Sequence, residues 1–378
     1  MTTSESQLVR SDHSPYRAIV GVGGIGLGLF FALEGNHTLG RNESRSARLI
    51  PGRDYCKLHI ITHYVAALLD VEPSGSDFHV LPVGKVGNDS EGVRLKKEMA
   101  EIGMDTRYVD VVDGQPTLLS VCYQYPDQAG GNITTSESAA SSLTNDDIDR
   151  VIPMLESNEN RFIALAVPEV PLGVRHHFLT LATAYHAFRV ASFTSAEITE
   201  AQTREILRMV DLLAINEDEA AALIGRPFDL NDRQAFLEEC AALLTGAQPN
   251  INIVISAGTD GVFAFADNRW SHFSALPVKS VSTTGAGDAL LAGILTALVL
   301  GLRLINHESS SSVEGRAFGS ATDLGILLAS FSVTSPHTIH PRTSMKSLRE
   351  FAGESGVTFS DGLSQILTEG ELTLRKEL

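Results

Sequence analysis

The stretch "STTGAGDALLAGILTALVLG", residues 282–301, carries the strongest structural signal in the chain. Small residues lead directly into an apolar run of helical length, which predicts a tight glycine-rich turn opening a buried helix. The first amides of such a helix have no partner within it and lie at its positive dipole end. The turn is therefore a predicted site for an anion such as the phosphates of a nucleotide.

Asp288 falls in the first turn of this predicted helix. Its carboxylate could accept the proton of an attacking hydroxyl while the amides of Gly285, Ala286 and Gly287 hold the charge of a transferring phosphoryl group. The alternative is a tight loop in which Asp288 only caps the helix. The spacing of these residues leaves both interpretations open.

Short β-rich runs alternate with helical patterns along most of the chain, which favours an α/β fold with a mostly parallel sheet covered by helices on both faces. The predicted strands are 18–22, 78–83, 118–125, 162–167, 189–193, 212–215, 251–256 and 262–266. The predicted helices are 54–69, 90–102, 146–155, 199–209, 217–224, 233–244, 286–300 and 316–331.

Two segments interrupt this alternation. Residues 27–50 are irregular, and residues 106–135 read as strand, turn and strand, so both suit a small β-rich lid on the main sheet. We expect one domain over 17–352, a disordered tail over 1–16 and a C-terminal tail over 353–378. The polar segment "NHESSSSVEG" at 306–315 is predicted to be a solvated loop.

The composition fits a soluble protein with a large core, because 43% of the 378 residues are hydrophobic. The 46 acidic and 29 basic residues give a net charge of −17, which repels phosphate backbones and argues against nucleic-acid binding. Three cysteines without C-x-x-C spacing, a polar N-terminus and no apolar run long enough for a bilayer indicate a cytoplasmic protein without membrane contact.

The segment T-T-G-A-G-D followed by A-x-x-A-G, residues 283–293, resembles the C-terminal signature of the ribokinase-like (PfkB) carbohydrate kinases. The resemblance implies a three-layer α/β/α sandwich with a small lid, and ATP as phosphate donor. It assigns the catalytic base to Asp288 and the anion hole to Gly285, Ala286 and Gly287. Thr284 would also contact the nucleotide.

Four further segments resemble the same family in the expected order. "LLAINEDEAAALIG" (212–225) implies that Asn216 and Glu219 organise Mg²⁺, through water, and the phosphates. "VISAGTDGVFAFA" (254–266) places Gly258, with Gly261 nearby, beside the nucleotide. The remaining segments are the G-x-D-x-x-G element (Gly87, Asp89, Gly92) and "FSVTSPHT" (331–338), which would close over the adenine. Asp89 is expected to order its own turn rather than to bind substrate.

The N-terminal half departs from the family pattern. Gly23 and Gly24 stand where the family has polar residues that hold sugar hydroxyls, and "PGRDYCKLHIITH" (51–63) replaces its G-G-x-x-x-N element. Arg53 and Asp54, with Lys57, are therefore candidates for the altered substrate pocket. Ser282 replaces an aspartate associated with a monovalent cation, which leaves potassium activation open. The acceptor is expected to be a sugar, nucleoside or similar small molecule.

Other functions compete with this one. Gly21, Gly23 and Gly26 match the G-x-G-x-x-G of an NAD(P)-dependent oxidoreductase, but the acidic candidate that follows, Glu43, lies in a segment with no strand. A nucleotide-binding homologue without activity is a second alternative. His59 and His63, four residues apart, suit a packed helix face or substrate contact better than a metal site. A homodimer through the lid edge is a further hypothesis.

Overall fold

The computed structural model describes residues 14–72, 78–127, 129–306 and 317–364. The disordered tail expected over 1–16 lies outside these residues up to position 13, as do 307–315 of the polar insertion and 365–378 of the C-terminal tail. The strands are β1 (Ala18–Val22), β2 (Gly26–Leu33), β3 (Ala47–Tyr55), β4 (His79–Gly87), β5 (Val109–Val112), β6 (Leu118–Gln124), β7 (Gly130–Thr134), β8 (Phe162–Ala166), β9 (Phe188–Ala191), β10 (Leu212–Asn216), β11 (Asn252–Ser256), β12 (Val262–Ala266), β13 (Arg269–Phe273), β14 (Ala317–Phe318) and β15 (Thr358–Phe359).

Helices alternate with these strands. They are α1 (Lys57–Leu69), α2 (Ser90–Glu101), α3 (Asn145–Asp149), α4 (Ile152–Ser157), α5 (Leu172–Ala184), α6 (Ala201–Leu207), α7 (Glu217–Ile224), α8 (Arg233–Ala247), α9 (Ala286–Val299), α10 (Ala321–Ser332) and α11 (Met345–Glu354). In the described ranges, none of them is long and apolar enough to cross a membrane.

The large sheet has the strand order β13-β12-β11-β10-β9-β8-β1-β4-β5 within the described residues. Its strands run parallel from β5 to β11, and β12 and β13 add an antiparallel edge. Side chains alternate between two buried clusters: Ile19 of β1 lies in one, and Ala18 and Val20 lie in the other. Helices α1, α9 and α10 contribute to the first cluster, and α5 and α8 to the second. The predicted three-layer sandwich is confirmed.

A second sheet has the order β3-β2-β6-β7, with β2 and β6 parallel and the outer pairs antiparallel. The predicted small β-rich sheet is therefore present. The expectation that residues 27–50 are irregular is wrong, because β2 and β3 pair across much of that range. The first part of the 106–135 segment also differs, since β5 joins the edge of the large sheet.

Three predicted helices either begin at least three residues later than expected or are divided in two. The helix expected from residue 54 begins at Lys57, because Asp54 and Tyr55 are still paired with β2. The helix expected over 146–155 is two short helices, α3 and α4. The helix expected from residue 316 begins at Ala321, where Ser320 forms a capping box with Asp323. Residues 353–364 of the expected tail include the end of α11 and β15, which pairs with β14.

Candidate active site

A cavity of about 320 Å³ lies between the small sheet and the carboxyl edge of the large sheet. The carboxyl ends of parallel strands are the usual position for a ligand in open α/β folds. Polar side chains of the small sheet, including Ser120, Cys122 and Asn132, line one side of this cavity. The opposite side is formed by Thr283, Thr284, Gly285 and Asp288 at the start of α9.

The turn before α9 has the conformation that an anion site requires. Gly285 is the N-cap with φ 78°, a left-handed conformation that favours glycine. A Cβ there would approach the Cβ of Thr338 to 3.1 Å. In the described part of the chain, the amides of Gly285, Gly287 and Asp288 have no hydrogen-bond acceptor, whereas Ala286 N–H donates to the carbonyl of Thr283 at 3.2 Å. These amides are free to bind an anion at the positive end of α9.

Asp288 faces the cavity from the first turn of α9. Its Oδ1 lies 3.3 Å from Nζ of Lys57, the first residue of α1. The side chains of Lys57 and Asp288 are 32% and 15% exposed, respectively. A partly buried carboxylate thus stands next to free amides and opens onto a cavity large enough for a small molecule.

A smaller cavity of about 60 Å³ adjoins the first one across Lys57 and Asp288. Asn216 and Glu219 line it. Each accepts a backbone hydrogen bond from the other at 2.8 Å, which forms a capping box at the start of α7. Burial raises the pKa of Glu219, although the Lys57 ammonium opposes that shift. The two residues are thus brought together with Asp288.

Glu169, which lies three residues beyond β8, was not singled out from the sequence. It lines the large cavity with φ 77°, an uncommon conformation for glutamate. Its Oε2 accepts the backbone N–H of Lys57 at 3.3 Å. Burial raises the pKa of Glu169 to about 7, and the charge of Lys57 opposes that shift. The sequence feature that could have identified Glu169 is its position just after an apolar run that forms a fully buried strand.

Arg53 and Asp54 take different positions. Asp54 is 8% exposed and lines the cavity, where it accepts the thiol of Cys122 at 3.4 Å and the N–H of Tyr55 at 3.0 Å. Burial is the main cause that raises its pKa. Arg53 lies outside the cavity wall, with its side chain 65% exposed and paired with Glu98 at 3.2 Å.

Gly23 and Gly24 do not line either cavity. A Cβ at Gly23 would lie 2.3 Å from Cγ2 of Val167, and one at Gly24 would lie 2.4 Å from Cβ of Glu169. The N–H of Gly24 donates to the carbonyl of Pro168 at 3.0 Å. These glycines let β1 and the segment after β8 pack closely, and Gly24 makes room for Glu169.

Two other segments, 254–266 and 331–338, were predicted to contact the nucleotide. Gly258 has φ 51° and open space around its Cα, whereas a Cβ at Gly261 would clash with the carbonyl of Phe273 at 2.1 Å. Residues 333–338 lie beside the start of α9, since the N–H of Val281 donates to the carbonyl of Val333 at 2.7 Å and Thr338 lies next to Gly285. Thr338 connects this loop to β3 by donating its N–H to the carbonyl of Arg53 at 3.1 Å.

The remaining candidate residues, Asp89, His59 and His63, do not line either cavity. Asp89 caps α2 by accepting the N–H of Gly92 at 2.7 Å, and it also holds Thr117. His59 is fully buried and His63 is half-buried within α1, and burial lowers the pKa of His63 to about 4. Among the residues placed by the structure, no three His, Cys, Asp or Glu side chains are grouped as metal ligands.

Comparisons with known proteins identify the family of this chain. Residues 74–344 match the model of the pfkB family of carbohydrate kinases. The ribokinase of Haemophilus influenzae is 25% identical over 250 residues, which are 66% of this chain and 73% of that protein. The ribokinase of Dictyostelium discoideum is 24% identical over 228 residues, which are 57% of this chain and 70% of that protein.

Solved structures share the fold at low identity. The Arabidopsis thaliana ribokinase complexed with ribose and ATP superposes with a TM-score of 0.63 at 19% identity, covering 89% of this chain and 98% of the other. The Giardia lamblia ribokinase gives a TM-score of 0.70 at 15% identity, with coverage of 88% and 99%. Since the family model spans most of the sequence, the chain belongs to the pfkB family of carbohydrate kinases.

Proposed function

We propose that this protein transfers the γ-phosphate of ATP to a hydroxyl group of a sugar or a related small molecule. The observation that carries the proposal is the position of Asp288 beside the free amides of Gly285 and Gly287, at the wall of a cavity of about 320 Å³. A base next to an anion site is what phosphoryl transfer to an alcohol requires.

In the proposed reaction, the free amides of Gly285 and Gly287 hold the γ-phosphate, and Ala286 fixes the turn between them by donating its N–H to the carbonyl of Thr283. The acceptor hydroxyl lies in the large cavity and attacks the γ-phosphorus in line, so an O–P bond forms as the bond to the β,γ-bridging oxygen breaks. Asp288 takes the hydroxyl proton, and ADP leaves with the former bridging oxygen. The small sheet excludes water, which would otherwise compete as acceptor.

Asn216 and Glu219 would hold Mg²⁺, through water, on the phosphate side. The second carboxylate oxygen of Glu219 has no hydrogen-bond partner in the described structure, and the small cavity beside it also contains Gly287. An oxygen donor in a polar cavity next to the anion site fits this hard cation. When bound, Mg²⁺ neutralises charge on the ATP phosphates.

ATP would lie over the C-terminal half. Thr284 and Gly258 are the proposed contacts, because Gly258 has open space around it and Thr284 lines the cavity. Gly261 supports the turn of Gly258 by its close approach to β13. Residues 331–338 would cover the adenine. A cytoplasmic location agrees with ATP as donor and with the three free cysteines.

Acceptor binding is assigned to the polar side chains of the small sheet and of the loop after β8. Asp54, Asn132 and Glu169 face the same cavity and offer hydrogen-bonding groups for several hydroxyls. Gly23 and Gly24 would act indirectly, through the position of Glu169. Arg53 would contact only a substrate that extends beyond the cavity, since its side chain is 65% exposed.

A homodimer through the small sheet is part of the proposal. The face of this sheet that points away from the cavity is apolar, and Leu49 and Ile133 on it are 53% and 64% exposed. Phe31 pairs with Leu49, and Val121 pairs with Ile133, so their side chains share that face. An exposed apolar sheet face of this kind suits a second copy of the chain.

A catalytically silent nucleotide-binding protein remains the competing function. The intact arrangement of Asp288 and the α9 amides favours the kinase. The oxidoreductase alternative has no support, because the three G-x-G-x-x-G glycines are packed against Leu58, Val167 and Leu118.

The test is a panel of unphosphorylated sugars, sugar phosphates and nucleosides, each incubated with ATP and Mg²⁺ and monitored by ADP release. We expect acceptor-dependent ADP release with at least one class, and a phosphorylated product of the corresponding mass. ADP release with none of them, from folded protein that binds ATP, would support the silent homologue instead.

A further inference from the structure

We infer that Lys57 is a positioning residue of the transfer site: its ammonium supplies the counter-charge that orients Asp288 between the acceptor cavity and the phosphate cavity. The inference rests on the proposed function, which assigns the proton transfer to Asp288. Lys57 is the first residue of α1, and its Nζ lies 3.3 Å from Oδ1 of Asp288 on α9.

The position of Lys57 is unfavourable for α1 itself. A cation in the first turn faces the positive end of the helix dipole. The first turn of α1 contains no acidic residue that would offset this, and its N-cap, Cys56, makes no side-chain capping bond. A residue that is unfavourable for its own helix is expected to be present because of its role in the functional site.

Lys57 lies at the junction of the two cavities and lines both. Among the described residues that line them, no arginine or histidine accompanies it. Four carboxyl groups share these walls: Asp54 on β3, Glu169 after β8, Glu219 on α7 and Asp288 on α9.

The electrostatics follow from this arrangement. The charges of Asp288, Glu219 and Glu169 raise the pKa of Lys57, with Asp288 contributing most, so the side chain stays an ammonium at physiological pH. In turn, Lys57 opposes the rise in pKa that burial causes in Glu169 and Glu219. Without the ammonium, these four carboxyl groups would have no positive side chain beside them among the described residues that line the cavities.

Removal of the Lys57 ammonium is expected to impair the transfer step more than ATP binding. Loss of the ammonium removes the charge that opposes protonation of Glu169, which lines the acceptor cavity. Loss of the ion pair also frees the Asp288 side chain to rotate away from the cavity. ATP binding, which depends on the α9 amides and the C-terminal half, should change little.

The test compares Lys57→Met and Lys57→Arg with the native enzyme on the best acceptor from the panel. We expect Lys57→Met to lower kcat at pH 7 by roughly 10²-fold, with a less than about threefold change in the KM for ATP. The acidic limb of its pH–rate profile should move to higher pH, because the charge that opposes protonation of Glu169 is gone. Lys57→Arg, which keeps the charge, should retain the native limb.

The matched control is Lys85→Met. Lys85 and Asp147 form an ion pair of similar burial, with side chains 13% and 17% exposed, outside both cavities. This variant should keep the native pH profile. Lys57→Gln replaces Lys57→Met if the latter does not fold, as judged by circular dichroism and thermal unfolding.

A native acidic limb in Lys57→Met, or equal loss of kcat in Lys57→Arg and Lys57→Met, would overturn the role of Lys57. Native enzyme that turns over no acceptor would instead overturn the proposed function. The two outcomes are distinguishable, because the Lys57 variants are compared only after the native enzyme has shown a measurable rate.

Discussion

At the scale of single residues, Glu169 shows how the fold creates an unusual group. Its carboxyl is held in a cavity wall by a left-handed backbone (φ 77°), and the absence of a Cβ at Gly24 leaves the space that it occupies. Such strained conformations cluster at functional sites, where the surrounding structure enforces them. Burial raises its pKa to about 7.

This shift predicts a pH-dependent stability. The folded state holds the Glu169 proton up to about pH 7, whereas an unfolded glutamate releases it near pH ~4.3. The unfolded state therefore binds fewer protons in between, so this group's contribution to stability falls as pH rises through that window. Relative to Glu169→Gln, the native protein should lose on the order of 2 kcal/mol in the free energy of unfolding between pH 5 and pH 8. Urea denaturation of both proteins measures this, and a pH-independent difference would contradict it.

Only some of the site residues could be predicted from the sequence. The turn at Gly285 and the place of Asp288 could be inferred from small residues before an apolar run, since helix starts are encoded locally. The role of Glu169 could not be inferred, because the neighbouring sequence does not show that a carboxylate in a short loop will be buried. Its environment depends on Gly24 and Lys57, which are more than 100 residues away in the sequence.

At the scale of elements, the opening glycines serve packing between strands. Gly26 of β2 pairs with Leu118 of β6, and a Cβ at Gly26 would lie 2.4 Å from the Leu118 carbonyl oxygen and 2.9 Å from Sγ of Cys56. The pattern that resembled a dinucleotide-binding turn therefore reflects the junction between the two sheets.

Gly26→Ala should destabilise the protein by about 1–3 kcal/mol, because backbone and side chain must shift to admit the methyl group. The control is Gly246→Ala in α8, where a Cβ would meet nothing within 4 Å. That substitution should be neutral or stabilising by up to about 1 kcal/mol, as expected for alanine in a helix. The urea midpoints of the two variants measure this, and native stability in Gly26→Ala would show that the packing argument is wrong.

Most elements of the large sheet were predictable from periodicity, and β1, β8 and β10 agree with the expected strands within one residue. The start of α1 could not be predicted, because nothing in "GRDYCK" shows where the strand ends and the helix begins. There the pairing of Asp54 with Gly28 on β2 decides the local structure. The small sheet was expected only as a lid, since the register of β2 with β6 joins segments about 90 residues apart.

At the scale of the whole molecule, the proposed dimer depends on the apolar outer face of the small sheet. We expect the native protein to have the mass of a dimer by light scattering. Replacing Leu49 and Ile133 together with glutamate should give a monomer, because four like charges would face each other across a symmetric interface. Leu243→Glu, at a 47% exposed leucine on α8, is the control that should remain dimeric. A native protein of monomer mass would contradict the dimer.

The alternation of strands and helices predicts a parallel sheet with two helical layers, but it does not give the strand order. That order brings the ends of β8, β10 and β11 to one edge, and with them Glu169, Asn216 and Gly258. Only the folded chain reveals that Lys57 and Asp288, 231 residues apart, form an ion pair there. We propose that the chemistry of this edge is phosphoryl transfer with Asp288 as base.

The most direct test of that claim is Asp288→Asn, with acceptor-dependent ADP release and ATP affinity measured on the same preparation. The substitution keeps the shape of the side chain but removes the proton acceptor. We predict a loss of turnover of roughly 10²–10⁴-fold, with ATP affinity within a few-fold of the native value. Unchanged turnover in Asp288→Asn would contradict the account.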